Sequence, residues 1–289
     1  MKVEEASLCP KPEEICVEAT PRPRVKICCI GSVEEAWTAI RHGASALGLV
    51  SQMPSGPGVI PEDLIAEIAA VVPPSVSSFL LTCRQDTASI IAQQRRAGVN
   101  TLQLCDRLQT GCYRDLREAL PGIAVVQVIH VTGPESVKEA LAVAPEVDGL
   151  LLDSGNQSLP VKELGGTGRR HDWSISRKIR ELVDVPIFLA GGLNAGNIAE
   201  AVQQVGPFGV DVCSGVRTDG KLDERKLVRF FAEMAAKCQK PDREGGRSLC
   251  ALPHGRASDN SGGHPNARAE AAIIEDERVP TQLFDLPRL

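Results

Sequence analysis

The chain has 289 residues, room for one large domain or two small ones, and its hydrophobic fraction of 43% supplies a core. Aromatic residues make up only 3%, so that core is built from Ala, Val, Ile and Leu, as in parallel strands buried on both faces. A net charge of −5 excludes a general pull toward nucleic acid or an anionic membrane, and no run of about 18 apolar residues is present to span a bilayer.

Residues 1–24, rich in Pro and Glu, read as a flexible leader, and the acidic start lacks the apolar segment of a secretory signal. The first strand is expected over 25–30. Ser32 with Glu35 three residues on then reads as a capping box opening a helix over 33–41, which Gly43 ends. A strand over 46–50, a Pro/Gly-rich loop over 51–60 and a helix over 61–71 follow. Further strands are predicted at 76–81, 101–105, 124–131 and 149–153, and helices at 87–97, 113–120 and 135–144. A long loop leads to Asp172, the cap of a helix over 173–183. The run 185–190 stops at Gly191-Gly192, a helix spans 195–205, and 209–213 stops at Ser214-Gly215 before a closing helix over 223–237. Residues 239–289 read as a mostly disordered tail, with room for a short helix at 267–278.

Eight strand-plus-helix units in 25–238 predict an α/β fold, a (β/α)8 TIM barrel with disordered N- and C-terminal extensions. A doubly wound open sheet is the rival, although no GxGxxG follows the first strand. Ten cysteines show no CxxC or Cys/His metal spacing and read as reduced thiols of a cytoplasmic protein.

Chemistry in a barrel sits at the C-terminal strand ends. Cys28 lies on the first strand and Asp153 ends the sixth. A thiolate can take a carbon-bound proton and a carboxylic acid can protonate a leaving oxygen, which together would make an isomerase site without a metal. By residue type alone Cys28 reads first as a small core residue and Asp153 also as a cap, and spacing leaves both open. The paired stops at Gly191-Gly192 and Ser214-Gly215 suggest a phosphate cup between strands seven and eight; singly, each is a tight turn.

Five fragments narrow the choice. Val25-Lys26-Ile27-Cys28, Leu151-Leu152-Asp153-Ser154, Gly165-Gly166-Thr167-Gly168 with Asp172-Trp173, Leu189-Ala190-Gly191-Gly192-Leu193-Asn194 with Asn197, and Gly209-Val210-Asp211-Val212 with Ser214-Gly215-Val216 occur in that order. Together they resemble the phosphoribosylanthranilate isomerases of tryptophan biosynthesis, over about residues 25–238. The resemblance implies a cofactor-free Amadori rearrangement of a small phosphorylated sugar, with no metal, in a monomer or homodimer. It casts Cys28 as general base and Asp153 as general acid. It assigns Gly191, Gly192, Asn194, Asp211, Ser214 and Gly215 to the substrate phosphate, and Gly165, Gly166, Thr167 and Gly168 to a lid.

Three departures accompany it. Cys29 stands where the family has glycine, Gly58 stands where an arginine holds the anthranilate carboxylate, and Cys105-Asp106 replaces His-Gly. Losing a charge-assisted arginine–carboxylate pair costs about 1.5–3 kcal/mol, so the substitute cation is sought at Arg84, Arg107, Arg169 or His130. A barrel isomerase or lyase on a different sugar phosphate, and a catalytically silent phosphate-binding barrel, are the alternatives.

Overall fold

In the computed structural model, which describes residues 22–237, β1 (Arg24–Ile27), β2 (Ala46–Val50), β3 (Ser77–Thr82), β4 (Thr101–Leu104), β5 (Ala124–His130), β6 (Gly149–Asp153), β7 (Ile187–Leu189) and β8 (Gly209–Val212) form a closed barrel in chain order. All neighbours run parallel, and β8 closes onto β1 with Arg24 opposite Gly209 and Ile27 opposite Val212. Helices α1 (Val33–Arg41), α2 (Glu62–Val71), α3 (Thr87–Ala97), α4 (Tyr113–Ala119), α5 (Glu135–Val143), α6 (Trp173–Leu182), α7 (Ile198–Val205) and α8 (Glu224–Lys237) follow their strands. The expected leader and tail, with the helix at 267–278, lie outside the described residues, except that Arg24 already opens β1.

Strand side chains alternate between two layers. Outward residues such as Ile27, Leu49, Leu80, Leu102, Leu150 and Val210 pack with the helices in the larger core. Inward residues, among them Val50, Phe79, Leu81, Val126, Leu151 and Phe188, fill the barrel itself. Two charged inward residues pair with each other. Lys26 Nζ donates to Asp211 Oδ1 at 2.9 Å, with the Phe79 ring centroid 5.3 Å from the ammonium. Burial works against the Lys26 charge, but Asp211 beside it holds the ammonium above its ordinary range.

Most expected ends shift by one or two residues, and the larger differences have local causes. The first strand stops at Ile27 instead of 30 because Cys29 turns the chain at φ 62. Helix α7 begins at Ile198 instead of 195 because two asparagines build a turn ahead of it: Asn197 Oδ1 accepts from Asn194 N–H at 2.9 Å, and Asn194 Oδ1 accepts from Gly196 N–H at 2.8 Å.

The capping box is half formed. Ser32 accepts from Glu35 N–H, but the Glu35 carboxylate accepts from Gly31 N–H at 2.9 Å, one residue further back. It also binds Arg217 and Leu222 N–H, which belong to the unpredicted hairpin of β9 (Arg217–Thr218) and β10 (Lys221–Leu222). Burial opposes the Glu35 charge, yet the Arg217 guanidinium and the two backbone donors hold its carboxyl below the usual range. Arg217 in turn donates to the carbonyls of Cys28 and Cys29, fixing the end of β1.

Candidate active site

A pocket opens at the C-terminal ends of the strands, and Cys28 and Asp153 both line it. Cys28, the residue after β1, continues the inward face of Lys26 two positions earlier and is buried. A Cβ on Gly48 of β2 would lie 2.8 Å from Cys28 Sγ and 2.9 Å from Lys26 Nζ, so only bare backbone fits beside them. Asp153 is the last residue of β6, and its Oδ1 accepts from Ser154 N–H at 2.7 Å.

Two loops cover this pocket. Ser55 Oγ donates to the Lys162 carbonyl at 2.7 Å, and a Cβ on Gly166 would meet the Pro57 ring at 2.5 Å. The glycine stretch therefore lies against the loop after β2. Thr167 and Ser154 hydroxyls meet at 2.8 Å, and Gly165 approaches Asp153 so closely that a Cβ there would come 2.8 Å from Oδ2. Gly191 (φ 85) and Gly192 (φ 63) adopt backbone that favours glycine, and a Cβ on Gly192 would sit 2.8 Å from the Gly168 carbonyl. No protein group among the described residues accepts from the N–H of either. Gly215 is equally confined, 2.0 Å from the Leu193 carbonyl at its would-be Cβ.

Two residues expected at the phosphate have other engagements. The Asp211 carboxylate, paired with Lys26, has no donor to offer an anion. The Asn194 side chain is spent on its own turn, accepting from Gly196 N–H and donating to the Gly192 carbonyl at 3.2 Å. What remains around the cup is backbone N–H and the Ser214 hydroxyl.

The sequence model of the family described as N-(5'-phosphoribosyl)anthranilate isomerase matches residues 25–233. The chain belongs to this family. It is 36% identical over 209 residues to N-(5'-phosphoribosyl)anthranilate isomerase 2 of Methanosarcina mazei, covering 72% of this chain and 92% of that protein. Among solved structures, the phosphoribosylanthranilate isomerase of Thermotoga maritima is 27% identical with a TM-score of 0.61, covering 74% of this chain and 98% of that one. A phosphoribosylanthranilate isomerase structure in complex with reduced 1-(o-carboxyphenylamino)-1-deoxyribulose 5-phosphate is 26% identical with a TM-score of 0.59, covering 74% of this chain and 98% of that one.

Within this isomerase the departures from the family pattern are physically linked. A Cβ on Gly58 (φ 78) would lie 2.4 Å from Cys29 Cβ, so the side chain gained at 29 occupies the space beside 58. Cys29 Sγ also meets Cys213 Sγ at 2.8 Å, and that hydrogen bond, a second one with Cys28 and burial push its thiol up. We expect Gly58→Ala to cost about 2–4 kcal/mol through overpacking and left-handed strain. Cys29→Gly in the same chain should recover the overpacking share, about 1–3 kcal/mol. Denaturant midpoints of the wild type, both single variants and the double variant measure this, and additive midpoints would contradict the contact.

None of the four candidate cations lines the pocket. Arg84 pairs with Glu62, Arg107 with Glu139 and Arg169 with Glu163, while His130 Nε2 meets the Cys105 carbonyl at 2.9 Å. Asp106 is buried and takes the Lys162 ammonium and Arg107 N–H, so its charge is answered. Sequence reasoning left Lys26, Gln103, Cys213 and Arg217 without a role. The first three carry a readable signal, since each lies two residues from another inward position: 26 from 28, 103 from 105, 213 from 211. Arg217 carries none.

Proposed function

We propose that this chain isomerises N-(5'-phosphoribosyl)anthranilate to 1-(o-carboxyphenylamino)-1-deoxyribulose 5-phosphate, with Cys28 as general base and Asp153 as general acid. The observation that supports the reading is one pocket lined by Cys28 and Asp153 together with residues 165–168 and with Gly191 and Gly192, whose N–H groups have no acceptor among the described residues. Family membership and the product analogue held by a solved relative support it.

Asp153 protonates the furanose ring oxygen as its bond to C1′ breaks, and the nitrogen lone pair forms the C1′ iminium. The Cys28 thiolate then takes the C2′ proton, its electron pair neutralising the iminium to an enolamine. Tautomerisation then gives the 2′-ketone as C1′ takes the proton held by Cys28 and the 2′-hydroxyl gives its proton to Asp153, so the product is an isomer and both groups return to their starting states. Each transfer contributes about 10² to 10⁴ in rate. The phosphate rests on the N–H groups of Gly191, Gly192, Ser214 and Gly215, and Gly165, Gly166, Thr167 and Gly168 shut water out.

A tryptophan-requiring strain that lacks this step tests the reading. Expression of the chain should restore growth without tryptophan, whereas expression without growth would contradict it.

A further inference from the structure

The proton transfers leave one buried amide of the pocket unused. Gln103 lines the pocket from β4 at 3% exposure, on the face it shares with Cys105. Among the described residues its Oε1 has no hydrogen-bond partner, and Nε2 meets only the Cys105 sulfur at 3.9 Å. Exchanging the amide oxygen and nitrogen leaves the same deficit. A buried polar group is normally satisfied, so an unpaired amide in a pocket wall asks for a partner that arrives with the ligand.

The barrel topology says which part of the ligand reaches it. In a closed barrel of eight strands, those four apart face each other across the axis, so β4 opposes β8. The glycine turns stand at the ends of β7 and β8, and a sugar phosphate anchored there extends its other end toward β3 and β4. On that side Val50, Met53 and Leu81 offer apolar wall to a ring. No lysine, arginine or histidine is among the described residues lining the pocket. Position 58 has no room for a cationic side chain, because Cys29 Cβ stands 2.4 Å from where its Cβ would be.

We propose that Gln103 is a specificity-determining residue whose amide N–H binds the carboxylate of the substrate's aryl ring in place of a cation. This rests on the reaction proposed above, since it takes that substrate's acid-bearing end as the ligand.

The test is equilibrium titration of wild type, Gln103→Leu, Gln103→Met and Gln103→Glu with reduced 1-(o-carboxyphenylamino)-1-deoxyribulose 5-phosphate. A parallel series uses the same compound without its ring carboxylate. Gln103→Leu and Gln103→Met should weaken the acid-bearing ligand about tenfold and leave the other within about threefold. Gln103→Glu, of the same shape, should weaken the acid-bearing ligand further through like-charge repulsion. Equal weakening of both ligands, or of neither, would overturn the proposal, as would a wild type that binds neither. A wild type that binds the acid-bearing ligand and does not isomerise substrate would overturn the reaction alone, with the Gln103 comparison still decisive.

Discussion

Cys28→Ala and Asp153→Asn should each lower turnover of N-(5'-phosphoribosyl)anthranilate by about 10² to 10⁴-fold with little change in thermal midpoint. The argument for so large an effect is chemical. Ring opening without an acid expels a bare alkoxide, and enolamine formation without a base leaves the C2′ proton to water, a far weaker base than a thiolate. The argument for an intact fold is local. Cys28→Ala removes one sulfur beside the bare backbone of Gly48, and Asp153→Asn keeps both the shape and an oxygen for Ser154 N–H. The double variant should be little worse than the poorer single, because the two transfers serve one rearrangement. Turnover within about tenfold of wild type in either single variant would contradict its role.

Lys26→Met should be the most destabilising of the conservative substitutions in the barrel, at about 3–5 kcal/mol. Its partner Asp211 would be left as an unpaired charge, 9% exposed, among inward side chains such as Phe79 and Phe188. Burial and the nearby Asp153 charge already work to raise the Asp211 carboxyl, with Lys26 opposing them. Without Lys26 the folded-state carboxyl therefore rises further above that of the unfolded chain. The native state then binds the proton more tightly, so the deficit grows as pH rises from the unfolded carboxylate range through the raised folded value and shrinks on acidification. Lys26→Met combined with Asp211→Leu should regain most of the loss, since a packed apolar pair avoids the desolvation cost. Thermal melts of the single and double variants at two pH values decide this. A Lys26→Met protein as stable as wild type at neutral pH would show that the pair does not hold the barrel.

The parts of this molecule legible in the sequence are those set by local rules. Short apolar runs, Gly43 ending α1 at φ 105 and Asp172 capping α6 each depend on a few neighbouring residues. Eight repeats of that pattern lead to the barrel, and the ends of the first and sixth strands place Cys28 and Asp153 on one rim. Contacts between distant segments are a different matter. Lys26 and Asp211 are 185 positions apart and meet only because β8 closes onto β1, so Asp211 read as a phosphate residue rather than as a counter-charge. Asn194 read as a ligand through the family resemblance, and the turn it builds with Asn197, which takes up its side chain, was not legible beforehand. Cys29 and Gly58 look like two unrelated departures until the fold sets them side by side.

The central claim is tested most directly by adding freshly prepared N-(5'-phosphoribosyl)anthranilate to the purified protein and following loss of substrate fluorescence, with Cys28→Ser alongside. The account predicts rapid conversion by the wild type and its near-abolition in the variant. A folded wild type that leaves the substrate unchanged, or a variant that converts it as fast, would contradict the account.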